Sequence, residues 1–88
     1  MAEVWRERGF VVKVNSNDHP PPHVHVRKGR GNAVVYLGEN DGDPPYLHKY
    51  YGMPEKDALV ALEIVCSKPA KARDGWRRVH EPKSNSNG

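Results

Sequence analysis

The period of the hydrophobic pattern changes once along this chain, at Pro54, and that change limits the folds open to it. Up to residue 51 the apolar side chains recur at every second position, whereas after Pro54 they recur at helical spacing. Strands first and helices afterwards point to the α+β class: an antiparallel sheet of four or five strands with two C-terminal helices packed on one face. The 88 residues suffice for one domain, expected over residues 1–80, with a small core and no large internal cavity. A site must therefore lie on a surface or in a shallow groove.

Residues 4 to 8 and 10 to 15 read as two short strands around a tight turn at Gly9. In "FVVKVN" the side chains of Phe10, Val12 and Val14 share one side, and Val11, Lys13 and Asn15 the other. The polar corner "SNDH" then leads into Pro20, Pro21 and Pro22, which exclude both a helix interior and a central strand and impose extended polyproline geometry. "HVHVRK" alternates strictly, with Val24 and Val26 on one face and His23, His25 and Arg27 on the other. "GRGN" (29 to 32) reads as a turn, "AVVYL" (33 to 37) as the returning strand, and "YLHKYY" (46 to 51) as a short fifth strand or an extended edge.

Pro54 suits a first helical position, and Glu55 and Asp57 follow near the positive helix end. Ala58, Leu59, Leu62 and Val65 make the expected apolar stripe. After Pro69, "AKARDGWRRV" reads as a second helix with Pro69, Ala72, Trp76 and Val79 on one side. Gly75 should weaken that helix by about 1 kcal/mol relative to alanine. The tail "EPKSNSNG" has nothing to bury and is expected to be disordered. The single cysteine, Cys66, excludes an internal disulfide and a multi-cysteine zinc site, and its neighbours Leu62, Ile64 and Val65 suggest a buried, inert thiol. The chain begins without a basic-then-apolar leader and has no apolar run of bilayer length, so a soluble, cytoplasmic protein is expected.

Charge is unevenly spread. Between Lys68 and Lys83 stand six basic residues against two acidic ones, while Glu39, Asp41 and Asp43 concentrate negative charge in "GENDGDPP". Such a pattern suits a polyanionic partner such as RNA, with Lys71, Arg77 and Arg78 as candidate contacts, although many basic helices are only solvated faces.

"NDHPPPHVHVRK" (17 to 28) holds three of the five histidines. If Val24 and Val26 pack under the helices, then Lys13, His23, His25 and Arg27 share the open face of the sheet, with Tyr36 or Val34 alongside. Three readings follow. His-x-His on a strand places two imidazoles on one side, roughly 6.6 Å apart at the backbone, so that Asp18, His19, His23 and His25 make a candidate site for a divalent metal such as zinc. Alternatively, His23 and His25 act as an acid–base pair while Lys13 and Arg27 hold a phosphate, as metal-free RNA cleavage requires. In the third reading the corner is a stiff connector: Ser16, Asn17 and Asp18 turn the chain, and the prolines guard against edge-to-edge association.

Other features read as structure. "ENDGDPP" lacks the glycine and glutamate spacing of a calcium loop, and "GRG" is too short to cradle a phosphate. Trp5 and Trp76 suit the core or its edge. Tyr46, His48, Tyr50 and Tyr51 could stack on bases or form a partly buried edge.

Ser16, Asp18, His19, Pro21, Pro22, His23 and His25, following the strand "GFVVKV", resemble the signature of a small bacterial family, the domain of unknown function 4160. The resemblance is carried by residues 3 to 37 and, beyond them, by element order. It implies an accessory protein encoded beside a second small protein, a toxin–antitoxin component with a cognate protein partner or RNA as target. No reaction comes with it. The acidic loop at 38 to 45 and "PAKARDGW" depart from the family's pattern. The function expected is therefore a binding module using a basic, histidine-bearing sheet face, with a small phosphodiester-cleaving enzyme or a metal-binding protein as the alternative. Whether the chain associates with itself is left open by the sequence.

Overall fold

A computed structural model describes residues 2–80, so the tail at 81–88 expected to be disordered lies outside the described residues, as does Met1. The strands are β1 (Ala2–Glu7), β2 (Phe10–Val14), β3 (His23–Lys28), β4 (Gly31–Tyr36) and β5 (Tyr46–Tyr51), followed by α1 (Glu55–Ser67) and α2 (Pro69–His80). The five strands form an antiparallel sheet in chain order, which completes the α+β architecture expected from the change of period.

Short turns hold the meander together. Arg8 (φ 56°) and Gly9 (φ 83°) form a two-residue loop whose left-handed backbone matches the twist of paired strands. The turn after β3 is only Gly29 and Arg30, because Gly31 and Asn32 already belong to β4, paired with Lys28 and Arg27. Between β2 and β3 the chain leaves the sheet for the proline corner, where the Pro20–Pro21 peptide is cis.

Alternation decides what is buried. Val12, Val14, Val24, Val26, Ala33, Val35 and Leu37 form the inner face, against Ala61, Ile64, Val65, Ala72 and Trp76 of the helices. Helix α2 covers β1, β2 and β3, while α1 covers β4 and β5. Two bulges interrupt the alternation. Between Glu3 and Trp5 the register slips by Val4, so that Trp5 pairs opposite Val12 while Val4 also packs on the core. Between Val34 and Val35 it slips by His48.

The helices differ from the expected stripes. Ala58, Ala61, Ile64 and Val65 face inward on α1, and Leu59 is exposed. The two alanines allow close approach to the sheet, and a neighbouring position lies about 100° around the helix, which carries Leu59 outward. The same rotation moves Cys66 off the buried face: its thiol is exposed, 3.9 Å from the Pro45 carbonyl oxygen. On α2, Ala72 and Trp76 are buried as expected and Val79 packs against the core, but Pro69 is exposed and Arg73 is buried.

Arg73 has a definite task. Its guanidinium donates to the carbonyl of Leu37 and to that of Gly38 (3.3 Å), and its Nε lies 3.4 Å from Asp41. Arg77 also pairs with Asp41, so the acidic loop after β4 is tied to α2. The loop and helix together wall a shallow groove of about 500 Å³ lined by Leu37, Pro45, Cys66 and Arg73 among others. Among the described residues no helix is long and apolar enough to cross a membrane.

Candidate functional site

Cross-strand neighbours share a face, so the register defines the outer surface of the sheet. Lys13 stands opposite His25, His25 opposite Val34, and Val34 opposite Lys49. In the next rows Arg27 pairs with Asn32 and Asn32 with Tyr51, while His23 pairs with Tyr36 and Tyr36 with Tyr46. Lys13, His23, His25 and Arg27 therefore share the open face, joined there by Tyr36, Tyr46, Lys49 and Tyr51. Lys71, Arg77 and Arg78 belong to α2, on the other side of the sheet, so the two basic groups do not form one surface. There Lys71 lies near the Trp5 ring and Arg77 is engaged by Asp41.

At one end of the open face the proline corner folds Asp18 back over β3. The Asn15 amide donates to Asp18 Oδ2 at 3.1 Å, and the Asp18 amide donates to the Asn15 carbonyl at 3.1 Å. This local loop, of the kind that Asx residues favour, aims the carboxylate at the two histidines. His25 Nε2 lies 3.1 and 3.2 Å from the Asp18 oxygens, and His23 Nε2 lies 3.5 Å from Oδ2. All three side chains are mostly covered, 12 to 17 % exposed. Burial works against the charge on Asp18. The hydrogen bonds from Asn15 and His25, with the charges of His25 and His23, outweigh it and hold this carboxyl below the usual carboxylate range.

The other ring nitrogens are also engaged. His23 Nδ1 is 2.9 Å from the Pro21 carbonyl oxygen and donates to it. His25 Nδ1 is 3.3 Å from the Asn32 amide, which also reaches the Tyr51 hydroxyl at 3.2 Å. Every imidazole nitrogen of the pair thus faces a protein group. His19 is exposed and is not among the converging groups, which among the described residues are Asp18, His23 and His25.

The proline corner is braced from α2. Asn15 offers its carbonyl to His80 Nε2 at 2.9 Å, and His80 stacks on Trp76 at 3.9 Å between ring centroids. Trp76 in turn comes within 5.2 Å of the His23 ring. The sequence gives no reason to connect His80 with this corner, since 65 residues separate it from Asn15.

Along β5 the bulge brings an aromatic row to the open face. The His48 ring stacks on Tyr36, with centroids 4.2 Å apart and planes 15° from parallel, and Tyr46 meets Tyr36 edge-on at 5.4 Å. Tyr46 and Tyr51 are 52 % and 57 % exposed, so they do not form a half-buried edge. Tyr36 is the member of this row not weighed for stacking on bases in the sequence, although its alternation with Val35 already placed it outward.

No curated protein and no solved structure matches this chain. The corner, both histidines, strands β2 to β5, α1 and most of α2 fall inside residues 9–76, which match the family model described as Domain of unknown function (DUF4160), and the chain belongs to that family.

Proposed function

We propose that the open face of the sheet binds single-stranded RNA. The observation that carries this reading is the row Tyr46, Tyr36 and His48, on the same face as Lys13, Arg27 and Lys49. Aromatic rings on an antiparallel sheet offer platforms for unstacked bases, and each stacked base contributes about 1–3 kcal/mol. The three cations supply phosphate contacts. Binding of this kind tolerates sequence changes and weakens with salt.

Fluorescence anisotropy with a short labelled single-stranded RNA tests the reading. Binding should fall on Tyr46→Ala and on Lys13→Gln, and remain with Arg78→Gln. Loss with Arg78→Gln while the face variants bind normally would move the site to α2. Absence of binding to RNA would leave a protein partner as the occupant to seek.

A further inference from the structure

We propose that Asp18, His23 and His25 form a binding site for one divalent first-row transition ion, zinc-like in its ligand preference. The site is independent of the RNA reading and rests on different atoms.

One ligand atom from each residue lies within 4.8 Å of the others. A tetrahedral zinc ion with bonds near 2.0–2.1 Å sets neighbouring ligand atoms roughly 3.3 Å apart. The separations of Asp18 from His25 (3.1 Å) and from His23 (3.5 Å) already bracket that spacing. Two imidazoles with a carboxylate suit zinc, nickel, cobalt or iron, whereas magnesium and calcium prefer oxygen alone.

The hydrogen-bond directions at His23 strengthen the assignment. The Pro21 carbonyl can only accept, so Nδ1 carries the hydrogen and a neutral His23 presents a bare lone pair at Nε2. That lone pair faces a carboxylate oxygen, and a cation between them turns the opposition into two ligand bonds. At His25 the group behind the ring is Asn32, whose Nδ2 as placed donates to Nδ1 and leaves the hydrogen on Nε2. A half-turn of the Asn32 amide would offer its oxygen to His25 Nδ1–H and to the Tyr51 hydroxyl, releasing Nε2 for the ion. Groups placed behind the ligand histidines are a general feature of metal sites.

The frame needs little adjustment to hold an ion. His23 and His25 stand two residues apart on a paired strand, and Asp18 is fixed by the Asn15 amide. Three protein ligands leave a fourth position for water, the composition of an open zinc site.

The test is titration of the whole chain with Co(II), read by the intense visible bands of tetrahedral cobalt, followed by displacement with Zn(II). Wild type should take up one equivalent and release it to zinc. Loss of a group behind a ligand typically costs 10–100-fold in affinity, so loss of a ligand should cost at least about a hundredfold in His23→Gln and in Asp18→Asn. His19→Ala should bind as wild type does. Because Asp18 also holds the corner, Asp18→Asn is judged only if its NMR spectrum stays folded, and His23→Gln decides otherwise. Absence of tetrahedral bands in wild type, or bands that survive in His23→Gln, would overturn the assignment. No RNA is present, so either result leaves the nucleic-acid reading standing.

Discussion

Val4 of β1 stands directly against Gly75 of α2: a Cβ on Gly75 would lie 2.6 Å from Val4 Cγ2 and 3.0 Å from Cγ1. The glycine admits close approach of helix and sheet, at the cost of about 1 kcal/mol in helix propensity. Valine is short and stiff, so it cannot swing aside. Gly75→Ala is therefore expected to destabilise the wild-type protein, despite its better propensity. In a Val4→Ala background the same change should be neutral or stabilising. A double-mutant cycle by urea unfolding measures this coupling; additive effects would show that the contact does not govern the packing.

Arg73 and Arg77 separate a buried from an exposed use of the same side chain. Replacing Arg73 with methionine leaves the Leu37 and Gly38 carbonyls without their donor, for an expected loss of about 1–3 kcal/mol per deprived group. Lysine should not restore the loss, because it lacks the two-pronged planar donor. Arg77→Ala should cost no more than about 1 kcal/mol, since its partner Asp41 is 70 % exposed. Thermal unfolding of the three variants checks the order.

Glu7 gives a pH dependence of known sign. Hydrogen bonds from Lys68 (2.8 Å) and the Trp5 indole (2.9 Å) hold its carboxyl below the usual range. A depressed carboxyl stabilises the fold above its unfolded pKa, and the contribution disappears as pH falls through the folded value. Glu7→Gln should therefore lower the melting temperature slightly at pH 7, and the difference should vanish in acid. Added salt should shrink the neutral-pH difference.

The RNA reading has a quantitative counterpart in salt. Each phosphate contact to a single strand adds about 0.7 to the slope of log affinity against log salt, so Lys13, Arg27 and Lys49 together give a slope of about −2. Arg27→Gln should reduce it by about 0.7. Tyr51→Ala should weaken binding by about 1–3 kcal/mol and leave the slope unchanged.

The fold was largely legible because alternation and helical spacing are local properties. "HVHVRK" alone placed Val24 and Val26 in the core and His23 and His25 outside. Where a single residue is inserted, alternation stops being informative. The bulge at Val4 turns an ordinary strand residue against α2, and the bulge at His48 creates the stack on Tyr36. The convergence of Asp18 with His23 and His25 was within reach because a short corner connects them. Exclusion of His19 depends on the exact path of the prolines. The His80–Asn15 and Arg73–Leu37 contacts join distant parts of the chain, and no periodicity reports them.

The most direct test of the sheet face is an amide NMR titration of the isotopically labelled protein with a short single-stranded RNA. Progressive shifts are expected at Lys13, Arg27, Tyr46, Lys49 and Tyr51, with α2 largely undisturbed. Shifts confined to Lys71, Arg77 and Arg78, or none at RNA concentrations of about 1 mM, beyond the range of ordinary non-specific binding, would contradict the RNA reading.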